Sequence, residues 1–208
     1  MWRYNQSPHS VTNPFNSLPS GFYSRISNDR RLCIMIIVGI DPGIRNLGFA
    51  IYDTEAKCFS AFGKIDLTEN VDKKMKTKYA HMVKNVIDSR SDVFGEFDQI
   101  VIEIQMVAKF KTITTAFQCF FWEKSHLISP RAVRCHFGIS TGNYKLNKKA
   151  SIDIFHTLPI SRENIDLFLS FPDKKKDDVA DAALLALYYA QKMEEQTTKP
   201  RPKKRRKK

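Results

Sequence analysis

The chain has 208 residues, and its 34 Lys and Arg residues outnumber its 22 Asp and Glu residues, which gives a formal net charge of +12. That length suits one α/β domain with flanking tails, and the positive charge indicates a polyanionic partner such as a nucleic acid. No apolar run is long enough to cross a bilayer, so we expect no membrane partner, while charge alone does not separate an enzyme from a protein that only binds nucleic acid.

Residues 1–32 differ in composition from the rest of the chain. Three prolines break any helix, Ser and Asn are frequent, and no hydrophobic period is visible, which predicts a disordered N-terminal extension. The segment has four Arg and one acid, a bias also typical of organellar transit peptides. A second interpretation is that Met35 serves as an alternative start, with the upstream residues as a disordered extension. We favour disorder over targeting.

Three short β-type segments open the predicted domain. Residues 33–41 are apolar and Ile-rich and end at Pro42 and Gly43, which predicts a buried strand. Residues 48–52 and 58–65 follow as two further strands, and the three together predict an antiparallel meander. Residues 73–90 then have apolar positions at helical spacing, which predicts the first helix.

The second half of the chain alternates between strands and helices. This order predicts an α/β fold with a mixed β-sheet flanked by helices over residues 33–193, followed by a basic C-terminal tail over residues 194–208. Nuclear import, DNA contact and solubility are alternative roles for the tail, and we favour DNA contact. The predicted elements are a strand over 99–104, a helix over 112–123, a strand at 127–128, a helix from Pro130, a helix from about 147 to 158, and a helix over 177–192.

Carboxylates interrupt apolar segments at three places. Asp41 ends the first strand and Glu103 lies within the fourth, and each needs a partner because burying an unpaired charge is costly. Asp178 and Asp181 share one face at the start of the last helix, and Asp177 and Asp181 offer a second pairing. Read one at a time, Asp41 is also explained as a turn residue and Asp177 as a first-turn residue, whereas Glu103 has little structural use within a β-branched strand. Taken together in this order, they favour a metal site.

The ligand type indicates the chemistry. Carboxylate oxygens suit Mg²⁺ or Mn²⁺ rather than zinc, and two such ions about 4 Å apart promote phosphodiester hydrolysis. We therefore expect Mg²⁺ as the cofactor, with Mn²⁺ able to substitute. The four cysteines lack metal-finger spacing and are expected to be reduced thiols of an intracellular protein.

Three motifs resemble a known family. Residues 37–48 (IVGIDPGIRNLG) resemble the opening of RuvC-type Holliday junction resolvases, which belong to the RNase H-like superfamily. Residues 101–105 (VIEIQ) are similar to their second acidic strand, and residues 176–181 (KDDVAD) to their terminal helix. The paired aspartates, with residues 143–145 (NYK) and 148–151 (KKAS), are most similar to resolvases of poxviruses and related large DNA viruses.

The resemblance covers roughly residues 34–192 and implies a substrate and a setting. It implies a homodimeric endonuclease that resolves Holliday junctions and other branched DNA replication or recombination intermediates by paired strand cleavage. In a virus, that activity implies resolution of genome concatemers at replication sites in the host-cell cytoplasm. Phe117, Phe120, Phe121 and Trp122 form a candidate dimer surface, although aromatic residues at this spacing are as often ordinary core.

The resemblance also implies site residues. The family's active-site lysine, which contacts the scissile phosphate, is matched by Lys148 or Lys149, and either also fits a solvated helix lysine. Met106 stands where bacterial members carry an aromatic wedge, so the resemblance does not extend to the bacterial way of opening the junction. The implied catalytic metal ligands are Asp41, Glu103, Asp178 and Asp181, with Asp177 as a substitute for Asp178, and the candidate DNA-backbone contacts are Arg45, Lys109, Lys111, Arg131 and Arg134.

Three alternatives compete with this hypothesis. Another RNase H-like nuclease, such as an RNase H or a transposase core, would have the same acids and a different nucleic-acid substrate. An actin-like or sugar-kinase ATPase also has Asp with Gly in its first hairpin, but this sequence has no second glycine-rich phosphate loop and that fold leaves the terminal acidic helix unexplained. A junction-binding protein without catalysis would not need the full set of acids.

Overall fold

The computed structural model describes residues 34–69, 71, 72, 74, 78–160, 162–171 and 173–198. The predictions for residues 1–32 and for the tail beyond residue 198 lie outside the described residues. The last helix continues to Thr198, past the position at which the sequence placed the start of the tail.

A five-stranded mixed sheet forms the centre of the domain, with the strand order β3-β2-β1-β4-β5. The predicted antiparallel meander is confirmed, because β2 pairs antiparallel with both β1 and β3. β4 is parallel to β1, and β5 is parallel to β4. The strands are β1 (Ile36–Asp41), β2 (Leu47–Asp53), β3 (Cys58–Ile65), β4 (Gln99–Glu103) and β5 (Ser125–Ile128).

Helices account for most of the remaining described residues. Two of them were not predicted: α2 is a single turn, and in α6 Phe168 is buried while its neighbours Leu167 and Leu169 are exposed. No helix in the described part of the chain is both long and apolar enough to cross a membrane. The helices are α1 (Tyr79–Ser89), α2 (Ser91–Phe94), α3 (Ala108–Phe120), α4 (Pro130–His136), α5 (Tyr144–Phe155), α6 (Arg162–Ser170) and α7 (Asp173–Thr198).

Three predicted helix boundaries are wrong for identifiable reasons. α3 begins at Ala108 rather than 112, because its first turn is mostly exposed and shows no apolar period in the sequence. α5 begins at Tyr144 rather than 147, because the Asn143 side chain accepts hydrogen bonds from the backbone N–H groups of Lys145 and Leu146 and caps the helix there. α7 begins at Asp173, one turn before the predicted start.

The sheet separates two hydrophobic clusters. On one face, α7 packs across β1 and β2, and its buried residues 182–187 meet Ile37 and Val101. On the other face, α1 and α3 cover Val38 and Ile100. Successive side chains of a strand point to opposite faces, so β1 contributes to both clusters and is fixed at the centre of the domain.

The candidate dimer surface is divided by the structure. Phe117 is fully buried in the core between α3 and the sheet, so its assignment to an exposed surface is wrong. Phe121 is half-buried, and its ring centroid lies 5.0 Å from that of Phe97. Phe120 and Trp122 are 45% and 75% exposed, so they alone of the four remain candidates for a contact with another molecule.

Candidate active site

Asp41 and Glu103 are adjacent because of the strand order. Each is the last residue of its strand, and β1 and β4 are parallel neighbours whose register pairs Ile40 with Ile102. The carboxyl ends of parallel strands meet at one edge of the sheet, so both carboxylates extend beyond the same edge. The sequence singled out both acids because they interrupt apolar runs. It placed Glu103 within a strand over 99–104, whereas the structure ends that strand at Glu103.

Helix α7 brings the remaining acids to this edge by lying unusually close to the sheet. A side chain at Gly39 would place its Cβ 2.1 Å from the Ala182 carbonyl oxygen, and one at Gly48 would meet the Asp178 carbonyl oxygen at 2.1 Å. Both positions therefore require glycine. This close approach sets the start of α7 beside the ends of β1 and β4.

These elements enclose an open cavity of about 530 Å³ at the edge of the sheet. Four of the predicted acids line it, and so do several basic side chains that the sequence proposed as DNA contacts. Lys111 and Arg131 are exposed and do not line it. The acids that line it are Asp41, Glu103, Asp178 and Asp181, and the basic residues are Arg45, Lys109, Arg134 and Lys148.

Burial raises the pKa of three of these acids, Asp41, Glu103 and Asp181, and repulsion between acids adds to the rise at Asp41 and Glu103. Burial, and then the charge of neighbouring acids, Glu103 first, raise the pKa of Asp41 well above its ordinary value. Burial and then the charge of Asp181 raise the pKa of Glu103 to about 7, against the opposing effects of Arg134, Gln105 and Lys148. Burial likewise raises the pKa of Asp181. A cation in this cavity would relieve the repulsion.

Gln105 and Ser151 are site residues that the sequence reasoning missed. The Gln105 side-chain Nε2 donates to Asp41 Oδ1 at 3.2 Å and to Glu103 Oε1 at 3.0 Å, so it bridges the two strands' acids. Ser151 is buried on α5, and its hydrogen bond to the Asp181 carboxylate favours the charged form of that acid and opposes the rise in its pKa. Both residues fall within the quoted motifs, but a single sequence does not indicate that their side chains reach the acids.

The sequence left open the choice between Asp177 and Asp178 and between Lys148 and Lys149, and in the structure the two members of each pair have different surroundings. Asp177 is 5% exposed, does not line the cavity, and forms an ion pair with the Lys148 ammonium group. Lys149 is exposed and also lies outside the cavity wall, whereas the Lys148 Nζ lies 5.0 Å from the centre of the Tyr144 ring. Burial lowers the pKa of Lys148, but the Tyr144 hydroxyl and the nearby carboxylates outweigh that effect and raise it.

The donor set fits a hard divalent cation. The acids supply only oxygen ligands, which Mg²⁺ and Mn²⁺ prefer. The raised pKa values of Asp41 and Glu103 come from burial and then from repulsion by neighbouring acids, and a cation would offset that repulsion. Among the described residues, no three His, Cys, Asp or Glu side chains converge on a single point as they stand. The Gln105 amide donates hydrogen bonds to both Asp41 and Glu103, so it lies beside the oxygens that would bind a cation.

Met106, which the sequence resemblance matched to the bacterial wedge, is 82% exposed at the end of the segment that carries Glu103 and Gln105. An unbranched thioether side chain in this position is flexible and apolar. It offers no ring to stack on a base.

Comparison with known proteins identifies the family. The sequence matches the family described as Poxvirus A22 protein over residues 35–193. The fowlpox virus resolvase in complex with its substrate Holliday junction DNA is 25% identical, with a TM-score of 0.57 over 76% of this chain and 99% of that chain. A second crystal structure, of the fowlpox virus Holliday junction resolvase, is also 25% identical, with a TM-score of 0.55 and the same coverage of both chains.

A more distant structure supports the fold. The yeast mitochondrial Holliday junction resolvase Ydc2 is 16% identical, with a TM-score of 0.58 over 77% of this chain and 82% of that chain. No curated protein sequence is significantly similar to this chain. The predicted RNase H-like fold and the resemblance to resolvases are confirmed, and the ATPase alternative is excluded. The chain belongs to the poxvirus A22 protein family.

Proposed function

We propose that this chain is an endonuclease that resolves Holliday junctions and related branched DNA by cutting two opposing strands. One observation carries the proposal: four carboxylates from β1, β4 and α7 line a single cavity whose wall also carries basic side chains. The acids suit phosphodiester hydrolysis, and the basic residues suit a DNA backbone. A resolvase that is 25% identical over nearly its whole length is known in complex with a Holliday junction.

Asp41, Glu103, Asp178 and Asp181 would hold the divalent cations, with Mg²⁺ as the natural ion and Mn²⁺ as a substitute. When bound, such ions stabilise the charge that develops on the phosphate and make water a stronger nucleophile. The chain's own part is to bring the four carboxylates to one edge of the sheet and to restrict the mobility of each. Asp41 and Glu103 are fixed by strand pairing, and the α7 acids by the packing of that helix on Gly39 and Gly48.

The basic side chains around the acids bind and orient the DNA strand. Arg45 follows the end of β1, Lys109 lies on α3, Arg134 on α4 and Lys148 on α5, so four separate segments place positive charge at the cavity wall. Charges of this kind contact phosphates and fix the register of the DNA without reading its sequence. They also offset part of the negative charge of the acids.

A homodimer fits this function because two symmetric cuts require two active sites and each chain offers one. Phe120 and Trp122 are the exposed apolar residues that we assign to the contact between the two copies. For a member of a poxvirus family, we place the activity at viral replication sites in the host cytoplasm, in the resolution of genome concatemers.

The proposal is tested by cleavage of a mobile four-way junction in Mg²⁺, with a linear duplex of the same sequence as the control. We expect paired nicks in opposing strands of the junction and no cleavage of the duplex. An RNA–DNA hybrid belongs in the same assay, because preferential cleavage of the hybrid would favour the alternative of another RNase H-like nuclease. Junction binding without any cleavage in Mg²⁺ or Mn²⁺ would leave only the non-catalytic alternative.

A further inference from the structure

Asp177 differs from the other acids of α7 in its surroundings. It is almost completely buried, whereas Asp178 and Asp181 line the cavity. Its carboxylate pairs with the Lys148 ammonium group across the contact between α5 and α7. A buried carboxylate needs a partner, and here a lysine already fills that role.

The register between α5 and α7 explains why Asp177 and Asp178 have different environments. Lys148 and Ser151 lie one turn apart on α5, and Asp177 and Asp181 lie one turn apart on α7. Lys148 pairs with Asp177 and Ser151 with Asp181, so two successive turns of the helices are matched. The backbone of Asp178 lies instead against Gly48 of β2.

The ion pair constrains a side chain that is otherwise flexible. Lysine has a four-carbon chain with large rotamer entropy, and a fixed partner selects one of its arrangements. Without Asp177, the Lys148 ammonium group is still attracted by Asp178 and Asp181, both of which act on it electrostatically. An ammonium group bonded to those acids would compete with a cation for their oxygens.

We propose that Asp177 is not a metal ligand but the positioning residue for Lys148. The ion pair holds the Lys148 ammonium group at the cavity wall, where a remaining N–H binds a phosphate oxygen of the DNA strand to be cut. It also keeps that group from bonding to Asp178 and Asp181. This assignment rests on the nuclease function proposed above for the cavity, and it separates two adjacent aspartates that the sequence could not distinguish.

Metal binding without DNA gives the first test. Mn²⁺ affinity is measured by titration calorimetry for Lys148→Ala alone and with Asp177→Asn or Asp178→Asn added. In this background Asp177 has no lysine to position, so we expect Asp177→Asn to leave the affinity unchanged. Asp178→Asn, the matched neighbour, is expected to lower it by about tenfold or more. Weakening by Asp177→Asn as large as that by Asp178→Asn overturns the proposal.

A double-mutant cycle gives the second test. Asp177→Asn and Lys148→Ala are each expected to lower the single-turnover rate of junction cleavage by roughly 100-fold, because a small displacement of a positioning group has effects of that size. Since both changes remove the same function, the double variant should cleave no more slowly than Lys148→Ala. Multiplied losses in the double variant would show that Asp177 acts independently of Lys148 and contradict the assignment.

Two further measurements separate positioning from folding. Lys148→Ala leaves the Asp177 charge buried without its partner, so adding Asp177→Asn should raise the melting temperature of that variant. The double variant Lys148→Met with Asp177→Leu replaces the ion pair by two apolar side chains, and it should fold and cleave like Lys148→Ala. Wild-type cleavage by this variant would contradict the proposal.

The Mn²⁺ and melting experiments use no DNA. If the wild-type protein failed to cut junctions, the proposed function would fall, while these two experiments would still decide the role of Asp177.

Discussion

Glu103 illustrates the effect of buried acids on the stability of the metal-free protein. Burial and the charge of Asp181 raise its pKa from 4.5 to about 7. Between those two values the folded chain holds a proton that the unfolded chain has released, so the free energy of unfolding falls as the pH rises through this window. Above pH 7 the carboxyl group is ionised in both states, so the loss in the free energy of unfolding no longer grows with pH.

Glu103→Gln removes this pH-dependent loss. In EDTA at pH 8 we expect the variant to be more stable than the wild type by about 1 to 3 kcal/mol, with little difference at pH 4, where the carboxyl group is mostly protonated in both states. Denaturant unfolding at the two pH values measures the effect. Asp153→Asn, which changes an exposed acid on α5, is the control and should alter stability little. A gain of equal size at both pH values would contradict the explanation.

Asp41→Asn addresses catalysis at the same edge of the sheet. We expect junction cleavage in Mg²⁺ to fall by more than about 100-fold, since loss of groups that merely surround metal ligands already has effects of up to that size, while junction binding persists. Asp98→Asn is a matched control, because Asp98 lies at the opposite end of the same two strands and accepts a hydrogen bond from the Ile36 N–H. Gel-shift and cleavage assays measure the two properties. Full cleavage by Asp41→Asn would refute the metal assignment.

At the scale of elements, the site depends on how closely α7 approaches the sheet. A Cβ at Gly48 would collide with the Asp178 carbonyl oxygen, which belongs to the helix backbone and has no freedom to rotate away. We expect Gly48→Ala to displace the start of α7, to destabilise the protein by about 1 to 3 kcal/mol and to reduce cleavage sharply. Melting curves and cleavage rates measure both effects.

Gly63→Ala provides the comparison within the same sheet. The nearest atom to a Cβ at Gly63 is in the Phe49 ring, at 3.0 Å, and a side chain adjusts more easily than a helix backbone. We therefore expect Gly63→Ala to lose less stability than Gly48→Ala and to cleave junctions at a nearly normal rate. Equal losses of stability and cleavage in the two glycine variants would mean that Gly48 is not required for the position of α7.

The strands could be predicted from the sequence, whereas the roles of the α7 acids could not. Residues 58–65 and the carboxyl end of β1 were predicted correctly because apolar runs and Pro42 with Gly43 define them locally. Asp177 and Asp178 are both spaced to share a helix face with Asp181. Spacing within one helix does not indicate which neighbouring helix or strand each of the two side chains contacts. That depends on the packing of α7 against α5 and β2, which is tertiary information.

At the scale of the whole molecule, composition and strand context predicted a basic protein with a carboxylate site for phosphodiester hydrolysis. They did not predict the substrate, since RNases H, transposases and resolvases share such acids. The order of the three motifs reduced the number of candidate families, and the match over residues 35–193 established the family. Which shape of DNA the protein selects depends on the surface beyond the cavity and on how two copies are arranged. No local pattern of residues encodes either feature.

The arrangement of two copies gives the last prediction. Phe120 and Trp122 lie at the end of α3 and in the turn after it, beside the edge strand β5, whose Leu127 is also exposed. Large apolar side chains that are exposed in this way are candidates for an interaction surface. We expect Phe120→Ser with Trp122→Ser to shift the protein from dimer to monomer in analytical ultracentrifugation.

The same double variant should nick junctions in one strand rather than resolve them, because one chain has one active site. Leu169→Ser, which changes an exposed leucine on α6, is the control and should leave both the dimer and paired cleavage intact. A variant that still sediments as a dimer and cuts both strands would place the contact elsewhere. A wild-type protein that resolves junctions as a monomer would remove the need for two copies altogether.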